Sequence, residues 1–331
     1  MESVRKFTIA ARRANSSILE PYEPDTAEYT YVASAINLAL SMLANDRSRD
    51  LLVTIALMLD ARALDPKIFG EDKASAEQHV DWFLNQLQRR FPPVIIDDTI
   101  TNLDCLGFHP RIPWDGKLEE FMFHMQGVHL NGRRVQAMVN AGQKNSEMAK
   151  QNFRDFQFLF STTIVHEAGP HLLVTWLGRG RPATPKEMAV PGYGSPLFPG
   201  ESGRFFELNV FGGTTEYYRD SNQDDCQTGV PYQLDIDGWA WRINPDVINK
   251  LCMYDITFPF ARIGPRVNRL TMHSMGRDPT NSSEVVSRYH TVMAVHGIPD
   301  PQLRFLASHS VHLSDLKLIP NNPSTRLIAI A

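Results

Sequence analysis

Apolar positions along this chain recur mostly at helical spacing. From Ala27 to Ala44, "AEYTYVASAINLALSMLA" places Tyr31, Ala35, Leu38 and Met42 three or four residues apart, and "SRDLLVTIALMLDARAL" repeats the pattern after a polar break. Each segment can therefore bury one face, which predicts a helical pair. A third helix is predicted in "SAEQHVDWFLNQLQRRF", ending before Pro92-Pro93, because a proline ring clashes with the preceding turn and has no N–H to donate. His79, on this segment, is expected at the surface. The stretch from Asn131 to Gly169 predicts two long helices interrupted at Gly142.

The pattern changes after Leu177. Residues 178–200 hold five glycines and five prolines, too many for regular structure, and predict a loop over the surface or over a site. A helix resumes in "ESGRFFELNVFGG" and ends at Gly212-Gly213, since glycine accepts the left-handed C-cap conformation. "YQLDIDGWAWRI" alternates around Asp237-Gly238, the signal of a β-hairpin. Trp239 and Trp241 then share one face, with core packing the plain expectation. Short helical patterns return at 283–297 and 300–313. The expected fold class is mainly α with a small β component. Residues 1–331 form either one large catalytic domain, or an N-terminal helical lobe 1–115 joined to a metal-site lobe 116–331.

Composition narrows the function. Apolar residues make up 43% of the 331 and charged residues 21%, the balance of a packed globular chain. A formal charge of −4 gives no footprint for nucleic acid or an anionic membrane, so a peptide or small-molecule substrate is expected. Cys105, Cys226 and Cys252 are odd in number and widely spaced, which argues against a disulfide framework. The start, "MESVRKFTIAARRANSS", lacks the apolar core of a secretory signal, and no apolar run is long enough to span a bilayer. A cytoplasmic location is expected. No phosphate-binding glycine loop follows a predicted strand, so nucleotide cofactors are not expected.

The chemistry concentrates in "STTIVHEAGPHLLVTW", where His166, Glu167 and His171 nearly spell the zinc-protease signature H-E-x-x-H with one residue too many. Residues four apart on a regular helix differ by about 40° around the axis, and residues five apart by about 140°. Only the first pair can chelate one ion. A single wide turn restores the second pair to one face, because its hydrogen bonds run from i to i+5. Pro170 encodes such a turn: it has no N–H for the His166 carbonyl, and its ring would clash with that carbonyl. The irregularity is therefore written into the sequence.

"HEAGPH" resembles the H-E-x-x-x-H motif of the dipeptidyl peptidase III family, zinc metallopeptidases whose metal-binding helix is widened by one residue. The glycine stands one place earlier than in that family, with Pro170 before His171. The resemblance covers roughly forty residues and implies a gluzincin-like site, with a third ligand from a glutamate on a second helix. "GESGRFFE" offers Glu201, Arg204 and Glu207 there.

The residues themselves call for two imidazoles, one carboxylate and an open position. His166, His171 and Glu201 are the expected ligands. Glu207, two turns beyond Glu201, is placed to orient a histidine instead, and Glu216 is the reserve for either role. Glu201 can equally be a carboxylate at a helix N-terminus. Glu167 is the expected general base on metal-activated water. Arg204, Tyr217, Tyr193 and Tyr218 are candidates to stabilise charge on the intermediate or to hold a carboxylate. The expected function is a zinc-dependent hydrolase, metallopeptidase or amidohydrolase-like, using Zn²⁺. Alternatives are a non-hydrolytic metal enzyme (a cyclase, an isomerase or an Fe²⁺ oxygenase) acting on a small metabolite, or a non-catalytic binding protein with a degenerate zincin site. His124, His129, His309 and His312 lack a recognisable third ligand and are expected to be structural or surface histidines, and His109 is expected in a loop. Asp224 and Asp225 are expected to form a solvated acidic turn.

Overall fold

The computed structural model describes residues 7–268, apart from 62–67, 71, 104, 181–182, 192, 194–199 and 219–225. The predicted helical patterns beyond residue 268, with His309 and His312, lie outside the described residues, as do Asp224 and Asp225.

The helices begin where the polar breaks fall. Helices α1 (Ala27–Leu43), α2 (Asp46–Asp60) and α3 (Lys73–Arg89) are capped by Thr26, Asn45 and Asp72, whose side-chain oxygens accept first-turn N–H groups. Each cap satisfies a donor that the helix leaves unpaired. Helix α3 stops ahead of Pro92-Pro93. Helices α4 (Gly132–Gly142) and α5 (Glu147–His166) part at Gly142. A Cβ there would lie 2.6 Å from the Tyr31 ring of α1, so a side chain at this position would have to displace that ring. Helix α6 (Leu172–Gly178), helix α7 (Ser202–Val210) and helix α8 (Pro245–Cys252) complete the set. The predicted stop after α7 is present, with Gly212 at φ 96°.

The main departure from the sequence reading is a mixed sheet near the N-terminus. Strands β1 (Ile9–Arg12), β2 (Leu19–Pro21), β3 (Val94–Asp97), β4 (Gly107–Phe108) and β5 (Val128–Asn131) lie in the order β2-β1-β3-β5-β4. β1, β3 and β5 run parallel, with Arg12, Asp97 and Asn131 in register at their carboxyl ends. Strands β3 and β5 are buried at every position. A parallel strand covered on both faces shows no alternation, which hides it from a periodicity argument.

The predicted hairpin belongs to a second, antiparallel sheet of β6 (Thr214–Tyr218), β7 (Val230–Leu234), β8 (Trp239–Ile243) and β9 (Arg262–Asn268). Its turn has Gly238 at φ 77°, a conformation that needs no Cβ. Trp239 and Trp241 do not enter the core as expected. They are half-buried and lie beneath Arg266 and Arg262, each guanidinium 4.3 Å from its ring centroid, while Ala240 takes the buried face.

The largest apolar core runs from Phe7 to Phe260 and takes in buried residues from each of the eight helices among the described residues. The chain is mainly α with some β. His79 is half-buried rather than fully exposed: its ring packs 5.0 Å from Phe69 and 6.3 Å from Trp176. Among the described residues Cys105, Cys226 and Cys252 form no disulfide. Among the described residues no helix is long and apolar enough to cross a membrane.

Candidate metal centre

Helix α5 ends at His166 and continues directly into a wide turn, Glu167–His171, before α6 begins. The Leu172 N–H reaches back to the Glu167 carbonyl, five residues earlier, so the extra residue of "HEAGPH" is absorbed in one turn. Gly169 lies against α1, where a Cβ would stand 2.6 Å from Leu43 Cδ2. Pro170 opens the ladder, and Gly169 lets the opened turn sit against its neighbour.

The turn brings the two imidazoles together, with ring centroids 4.6 Å apart in an edge-to-face arrangement. Helix α7 supplies the carboxylate. His166 Nε2 stands 3.4 Å from Glu201 Oε1, and His171 Nε2 is hydrogen-bonded to the same oxygen. One ligand atom from each of His166, His171 and Glu201 lies within 4.8 Å of the others, and all three residues are buried. Glu201 is also the N-cap of α7, its Oε2 accepting the Arg204 N–H. The cap fixes one oxygen and thereby aims the other.

Each imidazole is oriented from behind. His166 Nδ1 pairs with Glu207 Oε1 at 2.6 Å, and Glu207 Oε2 accepts the Thr215 N–H at 2.7 Å and Arg204 Nη1 at 3.0 Å. His171 Nδ1 pairs with Glu167 Oε2 at 2.9 Å, and that oxygen also accepts the His109 N–H at 3.0 Å. A proton on each Nδ1, assigned from these partners, leaves the Nε2 lone pairs directed at the Glu201 side. Gly203 makes room for this. A Cβ on it would stand 2.3 Å from His166 Nε2, so the first turn of α7 can receive the imidazole only as glycine.

The electrostatics suit a divalent cation. Three carboxylates, Glu167, Glu201 and Glu207, face two imidazoles, and one guanidinium, Arg204, offsets Glu207. Two buried negative charges remain, which burial makes costly unless they are compensated. Burial by itself lowers the His166 pKa, but Glu201 first and then Glu207 outweigh it and raise it to about 10. Burial would raise Glu201, yet His166 and His171 hold it well below the usual carboxylate range. Burial likewise opposes ionisation of Glu207, which Arg204 and His166 keep below its ordinary value. An ion coordinated at Nε2 would take the place of the imidazole protons that otherwise balance these carboxylates.

The other candidate residues separate into supporting roles. Arg204 binds Glu207 and the Thr215 carbonyl at 2.8 Å and stacks over the Tyr193 ring at 4.8 Å. Tyr217 places its hydroxyl 2.9 Å from Thr162 Oγ1, one turn before His166 on α5. Burial raises its phenol, so the hydroxyl stays protonated at neutral pH. Glu216 is held by Tyr193, which also pairs with Thr214, and by Tyr218 at 2.9 Å. It lies outside the converging group.

No family model matches this chain, and neither do curated proteins or solved structures. The functional reading therefore rests on the geometry of these side chains.

Several participants carry no signal in the sequence. His109 sits in a loop, as expected, but it is fully buried, with Nδ1 3.2 Å from the Gly127 carbonyl and Nε2 3.1 Å from Thr175 Oγ1. Burial lowers it to about 3, so the ring is neutral. Thr175 also donates to the His171 carbonyl at 3.0 Å, which ties the His109 loop to the wide turn. His129 is buried and pairs with Asp97 at 2.8 Å, and His124 is half-buried.

Proposed function

We propose that the chain is a zinc-dependent hydrolase acting on a peptide or amide bond, with the gluzincin-like centre that the resemblance to the dipeptidyl peptidase III family implies. The observation that carries this reading is the convergence of His166, His171 and Glu201 across a wide turn, each imidazole backed by its own carboxylate. The donor set fits Zn²⁺: two imidazole nitrogens and one carboxylate oxygen, with room in the coordination sphere for a fourth ligand. Bound there, zinc supplies a Lewis acid and makes water acidic enough to lose a proton near neutral pH.

The chain's own residues do the rest. Glu207 and Glu167 fix the tautomers of His166 and His171. Glu167 Oε2 is engaged with His109 and His171, while Oε1 lies 3.9 Å from His166 Nε2, on the side of the converging atoms. That oxygen takes the proton from the attacking water. Glu167→Gln keeps an oxygen for His171 and His109 but removes the base. It is expected to retain zinc and lose about 10²–10⁴-fold in turnover of a mixed peptide substrate, read as release of new amino groups. Cleavage by Glu167→Gln at the wild-type rate would rule the mechanism out.

The same donors match the two-histidine, one-carboxylate set of Fe²⁺ oxygenases. Metal analysis of the purified protein, together with the dependence of turnover on O₂, separates the two.

A further inference from the structure

Arg204 is held more firmly than it is used. One nitrogen, Nη1, donates to Glu207 Oε2 at 3.0 Å and to the Thr215 carbonyl at 2.8 Å, and the flat face lies 4.8 Å from the centroid of Tyr193. Its backbone N–H is bonded to Glu201. The guanidinium is thus anchored at one end, across one face and through its main chain. Yet Nε and Nη2 make no hydrogen bond among the described residues. The side chain remains 21% exposed.

That edge has a particular chemistry. Nε–H and one Nη2–H are parallel donors whose spacing matches the two oxygens of a carboxylate, a bidentate grip that a lysine cannot reproduce. A purely structural arginine would direct this fork at Glu207. Here Glu207 receives only Nη1, because its other oxygen is committed to His166. The charge is fixed in place and the fork is left without a partner among the described residues.

We propose that Arg204 binds a free carboxylate on the substrate, so that the enzyme acts on peptides or acyl-amino acids with a carboxylate close to the bond that is cut. The inference rests on the hydrolase reading above. Arg204 lies behind His166, with the Glu207 carboxylate between them. The fork therefore selects substrates cut near their carboxyl end.

The test compares N-benzoylglycine with N-benzoylglycinamide, which differ only in the carboxylate. Binding is measured calorimetrically on zinc-treated Glu167→Gln protein, where turnover is suppressed, and again with Arg204→Lys added. The expected result is a preference of about 10-fold or more for the carboxylate, lost in Arg204→Lys with the zinc content of the protein unchanged. Lysine keeps the charge beside Glu207 and the cation on Tyr193 but lacks the fork. Equal affinity for the two ligands, including no measurable binding of either, overturns the proposal. So does a preference that survives Arg204→Lys. Zinc content is read independently, so failure of the metal site is distinguished from failure of carboxylate recognition.

Discussion

At the scale of single residues, the candidate site depends on atoms placed behind His166 and His171 as much as on the two imidazoles. Glu207 and Glu167 turn the two imidazoles, and Gly203 leaves the space that His166 occupies. Gly203→Ala puts a methyl group 2.3 Å from Nε2, so the ring must leave the position in which it faces Glu201. Misplacing an oriented ligand costs about 10–100-fold in metal affinity, and that loss is predicted in a zinc titration of folded Gly203→Ala. Wild-type affinity in this variant would show that His166 does not need its observed pose. The roles of Glu201 and Glu207 were open to argument from the sequence, because a helix-opening glutamate and one two turns later point differently. Gly203 was not, because nothing in "ESGRFFE" tells that an imidazole from another helix rests on it.

At the scale of elements, the helices and the wide turn were legible because their causes are local. Apolar spacing, capping side chains and Pro170 act within a turn or two of the residue concerned. The β2-β1-β3-β5-β4 sheet was not legible, because strands of four residues such as Val94–Asp97 are uniformly buried and acquire their meaning only from neighbours far along the chain. That sheet carries its own buried charge pair. His129 on β5 contacts Asp97 on β3 at 2.8 Å, with Thr99 on the second carboxylate oxygen and Arg12 3.9 Å away. Burial works to raise the Asp97 pKa, but His129 and Thr99 hold it below the usual value. Its stabilising contribution is therefore complete above the unfolded carboxylate value of about 4 and is lost as pH falls through the lower folded one. His129→Ala strands the carboxylate and is predicted to cost about 3–5 kcal/mol near neutral pH in urea denaturation. The difference from wild type should narrow as Asp97 becomes protonated in acid. A cost that is small and independent of pH would mean that the pair contributes little.

At the scale of the molecule, the shared core explains why a buried, highly charged cluster can persist. Residues from α1, α5, α6 and α7 pack into one apolar body, and the carboxylates and imidazoles sit where α5, the wide turn and α7 meet. Such a body can hold these side chains in place without an ion, and an ion that binds only the folded chain would add stability that grows with the logarithm of its affinity. The central claim is that His166, His171 and Glu201 together hold one zinc ion. The most direct measurement is the zinc content of the full chain after incubation with excess zinc and removal of loosely bound ion, beside that of His171→Ala. About one equivalent in the wild type, falling to background in His171→Ala, is the predicted result. Folded wild-type protein that retains no zinc, or a His171→Ala variant that retains as much, would contradict it.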